Sequence, residues 1–333
     1  MTHPGAESAI APTPRPLWRR HLKTIVGLAT LAVVLVLVTL AVLRDRDQFG
    51  RALREIGWRN AVLSALCAAG GVACGYGVWI ETLAGLDARL PMRASIQAFF
   101  VSQLGKYLPG SVWPVLAQME AGRTAGVKRR TMLAANMLTL LISLAVGSAI
   151  ACALLPVGSP EALRRFWWLF IALPFLVALL HPRVLPVLID RLFSLARQPA
   201  LDQRLKLGNL FRGAAWAGLG WLLLGAHVAV LLVGLGHSGL AVLALCTGAM
   251  ALAVSVGILF IPAPAGAGLR EAALLLALSP ILSEHEGLAV AIVSRIELIV
   301  VDLALAGLAA VLALVLRRRL STSIVDTGAD VPN

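Results

Sequence analysis

Long apolar runs separated by short polar segments cover most of the chain. A helix rises about 1.5 Å per residue, so about 20 apolar residues cross the roughly 30 Å hydrocarbon core of a membrane. Seven runs are predicted to form membrane-spanning helices: residues 24–43, 61–80, 131–155, 166–180, 214–234, 240–261 and 287–316. The pattern predicts an all-α integral membrane protein with about seven to eight transmembrane helices.

Proline and glycine interrupt the apolar pattern at two places. The first break is LGKYLPGSVWP at 104–114, and the second is IPAPAGAG at 261–268. Proline lacks a backbone donor and glycine disfavours the helix, so neither stretch is expected to form one straight helix. Lipid tails cannot satisfy free backbone groups, so each break must lie against protein or line a wet cavity. We therefore predict two re-entrant hairpins of broken helices, with a candidate site between them.

The two breaks occupy corresponding places in two halves of the chain, about 20–155 and 166–318. In both halves a short helix and a polar turn follow the break, and a long span with polar residues comes next. Those polar residues are Asn136, Thr139 and Ser143 in the first half and Arg295, Glu297 and Asp302 in the second. Paired broken segments indicate a secondary-transporter binding site. The pattern predicts an inverted repeat, although coincidence among membrane segments with proline and glycine would look the same.

The composition agrees with a membrane location and gives the chain an orientation. Of the 333 residues, 59% are hydrophobic and 14% charged, against about 25% charged in soluble domains. The net charge of +12 comes from basic clusters between the apolar runs, which the positive-inside rule places in the cytoplasm. We expect a multi-pass protein of the cell membrane with both termini cytoplasmic. Nucleic acid is not an expected partner.

One membrane domain, residues 19–320, is expected between disordered cytoplasmic tails at 1–18 and 321–333. Residues 44–59 and 182–212 have a helical pattern and many basic residues, which predicts helices at the membrane surface. The acidic turn at 283–286 is expected to face outward. The four cysteines lie in apolar runs without metal-ligand spacing, so neither a metal nor a cofactor is predicted.

Charged residues after the second break are the main candidates for substrate binding. Arg270 and Glu271 begin the helix after the break, while Arg295 and Asp302 are seven positions apart on one face of the last span. A charge at the membrane centre costs about 2.5–3.5 kcal/mol, so these side chains are expected to find partners inside the protein. We expect Glu271 to pair with Arg295 and Arg270 to hold a lipid phosphate at a helix N-terminus. A purely structural ion network stays the alternative.

Glu297 completes the second-half candidates, although it is turned about 200° from Arg295 around the helix. The first break adds Lys106, Pro109, Gly110 and Ser111. Lys106 is expected either to meet an anionic headgroup or to extend to the membrane surface. His227 lies mid-span among apolar residues and is interpreted as a hydrogen-bonded core histidine rather than a proton relay. No Ser/His/Asp arrangement is visible, and no catalytic residue is predicted.

Three segments resemble a known family. They are GKYLPGSVWPV at 105–115, PAGAGLREAALLLALSP at 264–280 and SRIELIVVDL at 294–303. They are similar to signature segments of the lysylphosphatidylglycerol synthase transmembrane-region family, and the resemblance extends over about residues 20–318. The first half departs from the family pattern, because Ser111, Val112, Trp113 and Asn136 stand where many members carry charged residues.

The resemblance implies a lipid-handling membrane protein. In the multiple peptide resistance factors this membrane part is joined to a soluble aminoacyltransferase domain and is associated with flipping the aminoacylated lipid. Because the chain stops at Asn333, that transferase is not expected here. The expected function is flippase-like transport of an anionic or aminoacylated phospholipid, or of a polyprenyl-linked lipid, between leaflets. A membrane-embedded lipid-modifying enzyme and a scaffold for a separate lipid-modifying enzyme stay open, as does a homo-oligomer.

Overall fold

A computed structural model describes residues 46–107, 112–158, 206–259, 266 and 268–327, together with residues 164, 187 and 191. The described residues form helices joined by short turns, and they contain no strand. The helices are α1 (Arg46–Gly85), α2 (Met92–Gln103), α3 (Trp113–Thr124), α4 (Arg129–Gly158), α5 (Leu207–Gly234), α6 (Leu240–Leu259), α7 (Leu269–Leu278) and α8 (Glu284–Thr327). A 3-10 turn, Leu104–Tyr107, follows α2 directly. The predicted all-α class is confirmed.

Five of the described helices are long and apolar enough to cross a membrane. Their candidate spans are Gly50–Gly85, Arg129–Val157, Leu207–Gly234, Leu240–Ile258 and Glu284–Ala313. They coincide with five of the seven predicted spans, and the chain is a multi-pass membrane protein. The predicted spans at 24–43 and 166–180 lie outside the described residues, as do the tail at 1–18 and most of the surface helix at 182–212.

Helix α1 contains the two elements that the sequence pattern separates, the surface helix at 44–59 and the span at 61–80. Gly57, with φ 69° and ψ 152°, is not helical, so α1 is two helical segments joined by a kink at this residue. Only glycine adopts a positive φ without steric cost, which explains why the kink lies at this residue. Before the kink, Ile56 is buried while Leu53 is exposed, as expected for a one-sided helix. At the other end of the chain, α8 continues to Thr327, into the segment predicted as a tail.

Three of the helices beside the two breaks are too short to cross a membrane. Helices α2 and α3 have 12 residues each and α7 has 10, which corresponds to about 18 Å and about 15 Å. Helices α6 and α7, on either side of the second break, pack against each other, and a Cβ on Gly257 of α6 would lie 3.4 Å from the Cβ of Arg270 in α7. Residues 108–111 and 260–265, at the breaks themselves, lie outside the described residues. The re-entrant hairpins and the inverted repeat therefore stay predictions.

Small residues allow α1, α5 and α6 to pack closely. A Cβ on Gly71 of α1 would lie 3.2 Å from the carbonyl oxygen of Gly220 in α5. A Cβ on Gly225 of α5 would lie only 2.4 Å from the Cα of Thr247 in α6. Membrane helices associate through such backbone contacts because lipid tails supply no hydrophobic driving force between them. These contacts fix α5 relative to both neighbouring helices.

We predict that Gly225→Ala destabilises the protein by about 1–3 kcal/mol, because the new methyl group would push α5 away from α6. The matched control is Gly218→Ala in the same helix, where a Cβ would meet nothing within 4 Å. That control is expected to be neutral or to stabilise the helix by about 0.5–1 kcal/mol. Unfolding by SDS in mixed micelles measures both variants. Equal stability of the two variants would contradict the close α5–α6 contact.

Helix α8 connects the two breaks. It packs against α7 on one side and against α2 and its 3-10 turn on the other, and it also contacts α1 and α5. A hydrophobic cluster that includes Trp79 of α1, Phe99 of α2 and Leu138 of α4 holds α2 in place. The residues that follow α2 therefore lie beside α8, next to the start of α7.

Candidate functional site

Polar side chains from both breaks meet on α8. The ammonium nitrogen of Lys106 lies 2.6 Å from Asp302 Oδ2. The Tyr107 hydroxyl donates a hydrogen bond to the same carboxylate oxygen. The Asp302 side chain is fully buried, while Lys106 keeps 31% of its side-chain surface exposed. The 3-10 turn after α2 is thus tied to the last span by an ion pair and a hydrogen bond.

Arg295 lies at the centre of the group. Its guanidinium carbon is 5.9 Å from the centre of the Tyr107 ring, and Nη1 is 3.5 Å from Glu271 Oε1. The other carboxylate oxygen of Glu271 accepts the backbone N–H of Gly268 at 2.6 Å. Glu271 therefore pairs with Arg295 and also caps the N-terminus of α7. The predicted Arg295–Glu271 pair is confirmed.

Arg270 adds a third cation. Its Nη2 lies 3.8 Å from the sulfur of Met250, a soft and weak acceptor. Arg270 directly precedes Glu271 at the start of α7, so its positive charge lies beside the Arg295–Glu271 pair. Three cations face two carboxylates, so the group carries one net positive charge. We call it the cationic cluster: Lys106, Tyr107, Arg270, Glu271, Arg295 and Asp302.

The structure brings five of the predicted site residues together, namely Lys106, Arg270, Glu271, Arg295 and Asp302. Pro109, Gly110 and Ser111 lie outside the described residues. Lys106 bonds to Asp302, so its head is held inside the protein at this site. Sequence reasoning missed Tyr107 as a member of the cluster, although its place between Lys106 and the break marked it as a polar group at the same depth. It also missed the pairing of Lys106 with Asp302, because the two residues are distant in sequence.

Glu297 lies in a different cluster. Its Oε2 accepts a hydrogen bond from Ser64 Oγ at 2.6 Å and lies 3.2 Å from His227 Nδ1. Nδ1 lies 2.7 Å from Ser64 Oγ, and Nε2 lies 2.8 Å from Ser294 Oγ. These four residues are at most 9% exposed. We call them the buried acid cluster, in which His227 is buried and hydrogen-bonded as predicted.

The buried acid cluster is the Ser/His/acid grouping that the sequence did not reveal. Its residues come from α1, α5 and α8, and Ser64 and Glu297 are 233 positions apart. Ser294 and Glu297 contact opposite nitrogens of the imidazole, as the serine and the acid of a hydrolase triad do, while Ser64 shares Nδ1 with the acid. Every member of the group is buried, so a lipid could not reach a nucleophile here without a movement of the helices.

The polar residues of the first long span have structural contacts. Asn136 donates to the Met132 carbonyl within α4, and Thr139 lies 3.0 Å from Thr82 Oγ1 of α1. The backbone oxygen of Ser143 accepts the indole N–H of Trp221. The contacts of Thr139 and Ser143 hold helices together. The polar residues of the first long span are therefore uncharged and structural, whereas the corresponding residues of α8 are charged. Among the described residues, no group of three His, Cys, Asp or Glu side chains is placed to hold a metal ion.

The acidic turn before α8 is a helix cap. The backbone N–H and the hydroxyl of Ser283 both donate to Glu286 Oε2, at 2.9 Å and 2.6 Å. The Glu286 N–H lies 3.4 Å from Ser283 Oγ, which completes the reciprocal pattern of a capping box. These contacts explain the Ser-Glu-His-Glu sequence locally. They start α8 in the register that places Arg295 and Asp302 on the inner face.

Comparison with known proteins agrees with this architecture. Residues 25–306 match the family described as the lysylphosphatidylglycerol synthase TM region. A comparison with curated proteins finds no match. The family match covers helices α1 to α7, the part of α8 up to residue 306, both breaks and every residue of the two clusters. The chain therefore belongs to the lysylphosphatidylglycerol synthase transmembrane-region family, as a multi-pass membrane protein with a lipid-related function.

Proposed function

We propose that this protein moves an anionic or aminoacylated phospholipid, or a polyprenyl-linked lipid, between membrane leaflets. The observation that carries the proposal is the cationic cluster, whose excess positive charge lies where both broken helices meet α8. Such a charge is costly within a membrane unless an anion accompanies it. A lipid phosphate supplies that anion, and the broken helices of transporters bind substrates in this way.

The carboxylate of Asp302 would compete with a lipid phosphate for Lys106. It holds Lys106 and Tyr107 when no headgroup is bound. A phosphate offers several acceptor oxygens that Lys106 and both arginines could share through charge-assisted hydrogen bonds, whereas Asp302 offers Lys106 one carboxylate oxygen. Headgroup binding would therefore release the 3-10 turn from α8. This exchange of partners links substrate binding to a movement between the two halves.

One atom favours an aminoacylated headgroup. Asp302 Oδ1 is buried and has no hydrogen-bond partner among the described residues. A buried carboxylate oxygen without a donor is costly, and the ammonium group of an aminoacyl lipid would supply the donor. The cluster thus offers cations for a phosphate and a carboxylate oxygen for an amine. A polyprenyl phosphate would use the cations alone.

The outer surface of α8 gives the lipid tails a place. Ile296, Val300 and Leu303 are each 55% exposed, although they are large apolar residues. They alternate along α8 with the partly buried Arg295 and the buried Asp302. A headgroup could therefore enter the cluster while its tails stay in contact with lipid. The proposal also places both termini in the cytoplasm. A separate lipid-modifying enzyme would supply the lipid.

We predict that Arg270→Gln and Arg295→Gln each lower lipid translocation about tenfold or more, since a hydrogen bond to a charged group contributes roughly 1.5–3 kcal/mol. The assay is leaflet-resolved translocation in proteoliposomes, with a native lipid extract as the substrate pool. Arg212→Gln is the matched control, because its guanidinium is 62% exposed and pairs with Glu81 away from the cluster. The control is expected to transport like the wild type.

Three results would decide against the proposal. If Arg295→Gln translocates lipid at the wild-type rate, the cationic cluster is not part of the transport pathway. If the folded wild type translocates no lipid, the protein is not a lipid transporter. Mass spectrometry of the same vesicles covers the enzymatic alternative, since a lipid-modifying enzyme would leave covalently altered lipids behind. A translocated lipid that is chemically unchanged supports the transporter.

A further inference from the structure

The buried acid cluster holds a carboxylate without a cation to balance it. Among the described residues, the carboxylate of Glu297 contacts Ser64 and His227 and no lysine or arginine. Its Oε1 is buried and has no hydrogen-bond partner there. An isolated ionised carboxylate away from water is strongly disfavoured and tends to neutralise. Membrane proteins commonly use such groups in proton pathways.

The hydrogen bonds of the cluster have two arrangements that differ by one proton. Ser64 Oγ lies 2.6 Å from Glu297 Oε2, 2.9 Å from the carbonyl oxygen of His227 and 2.7 Å from His227 Nδ1. Without an added proton, the hydroxyl donates its one hydrogen to Glu297, and a hydrogen on Nδ1 can be donated to Ser64 Oγ. With one added proton, Glu297 donates to Ser64 Oγ, which then donates to the His227 carbonyl. If the added proton instead moves to the imidazole, His227 and Glu297 form an ion pair of zero net charge across 3.2 Å.

We propose that Glu297, Ser64 and His227 form a proton-binding site, and that release of its proton makes α8 rotate or shift relative to α1 and α5. The coupling to lipid movement rests on the transport function proposed above. With the proton bound, the cluster is neutral and α8 is held on the two helices by Ser64 and His227. Without it, Glu297 is an ionised carboxylate that keeps Ser64 and His227 as neighbours but leaves Oε1 without a donor, and α8 gains by moving Glu297 towards water.

Helix α8 links this proton site to the cationic cluster. Arg295 and Asp302 are seven residues apart and share a face, while Glu297 is turned about 200° from Arg295. A rotation or shift of α8 that exposes Glu297 therefore moves Asp302 away from Lys106. The proton and the headgroup would act on the same helix from opposite sides.

The other charged groups on the helices around α8 have their own partners. From α7, Glu271 pairs with Arg295, and from the 3-10 turn Lys106 and Tyr107 bond to Asp302. His227 is the titratable group that α5 presents to Glu297. From α1, the contact comes from the neutral Ser64, and Cys67 follows one turn later. The proton therefore has two carriers in this site, the carboxylate and the imidazole.

Infrared spectroscopy of the full chain in lipid nanodiscs tests the proton site without any transport. We expect a carboxylic-acid carbonyl band that disappears on raising the pH and is absent in Glu297→Gln. Ser64→Ala should keep the band but shift its frequency, because the acid loses its hydroxyl acceptor. Glu120→Gln is the control, since hydrogen bonds from Arg123 hold the pKa of the exposed Glu120 below its usual value and keep it ionised. A spectrum in which neither Glu297→Gln nor Ser64→Ala alters a protonated carboxyl band overturns the proposal.

The coupling is tested in proteoliposomes with the native lipid extract. An imposed pH gradient should change the rate of wild-type translocation, whereas the rate of Glu297→Gln, whatever its size, should not respond. A sodium gradient at constant pH serves as the comparison, and a response to sodium alone would overturn the assignment to a proton. A protonated Glu297 in a protein that moves no lipid would refute the transport function and leave the proton site standing. Gradient-independent wild-type transport would refute the coupling.

Discussion

Lys106→Met is expected to destabilise the protein by about 3–5 kcal/mol, because removing one partner of a buried ion pair leaves the other charge uncompensated. The charge left behind is that of Asp302, whose side chain is fully buried. Tyr107 would remain as its hydrogen-bond donor, and a single neutral donor does not replace a cation. SDS-induced unfolding in mixed micelles measures the loss.

A double variant distinguishes the ion pair from general damage. Lys106→Met combined with Asp302→Asn removes both charges, so it should be more stable than Lys106→Met alone and recover much of the loss. Both forms should still fail to translocate lipid if the lysine receives the headgroup. A double variant that is as unstable as the sum of its single variants would show that the two residues do not interact as the structure places them.

Trp79→Ala should cost about 3–5 kcal/mol, the usual range when a large aromatic side chain is deleted from a packed core. Trp79 is completely buried, and its ring lies 5.6 Å from that of Phe99 and 6.4 Å from that of Tyr76. The cavity would lie under α2, the helix that carries Lys106 into the cationic cluster. We therefore expect lower translocation as well as lower stability, measured by the same two assays.

The indole nitrogen provides an internal control for that prediction. Trp79 Nε1 has no hydrogen-bond partner among the described residues, so Trp79→Phe should lose volume but no hydrogen bond. Its cost should be well below that of Trp79→Ala. Trp58→Ala, at a side chain that is 73% exposed, should be close to neutral. A large loss in Trp58→Ala, or none in Trp79→Ala, would contradict the packing of α1 against α2.

Local pattern predicted the helices well because their causes are local. Apolar runs of sufficient length predicted five described spans, and proline and glycine marked both helix interruptions. The separate helix predicted at 44–59 corresponds to the segment of α1 before Gly57, because this glycine takes a non-helical conformation with a positive φ and interrupts the helix.

The candidate site was predicted in part. The contacts that were predicted join residues near each other in sequence, and those that were missed join residues far apart in sequence. Glu271 and Arg295 were recognisable as partners because both follow the second break. Asp302 was recognised as a charge in the last span, but its partner Lys106 comes from the other half of the chain. Glu297 was grouped with Arg295 by proximity in sequence, whereas helix geometry turns it towards α1 and α5.

The sequence by itself determined the membrane class, the breaks and the charged positions on α8, because hydrophobic length, proline and glycine act within a few residues. The tertiary structure alone decided which charges meet. It placed Lys106 on Asp302 and gathered Ser64, His227 and Glu297 from three helices. In an apolar medium each buried polar group must find a partner, and the partner depends on which helix faces pack together.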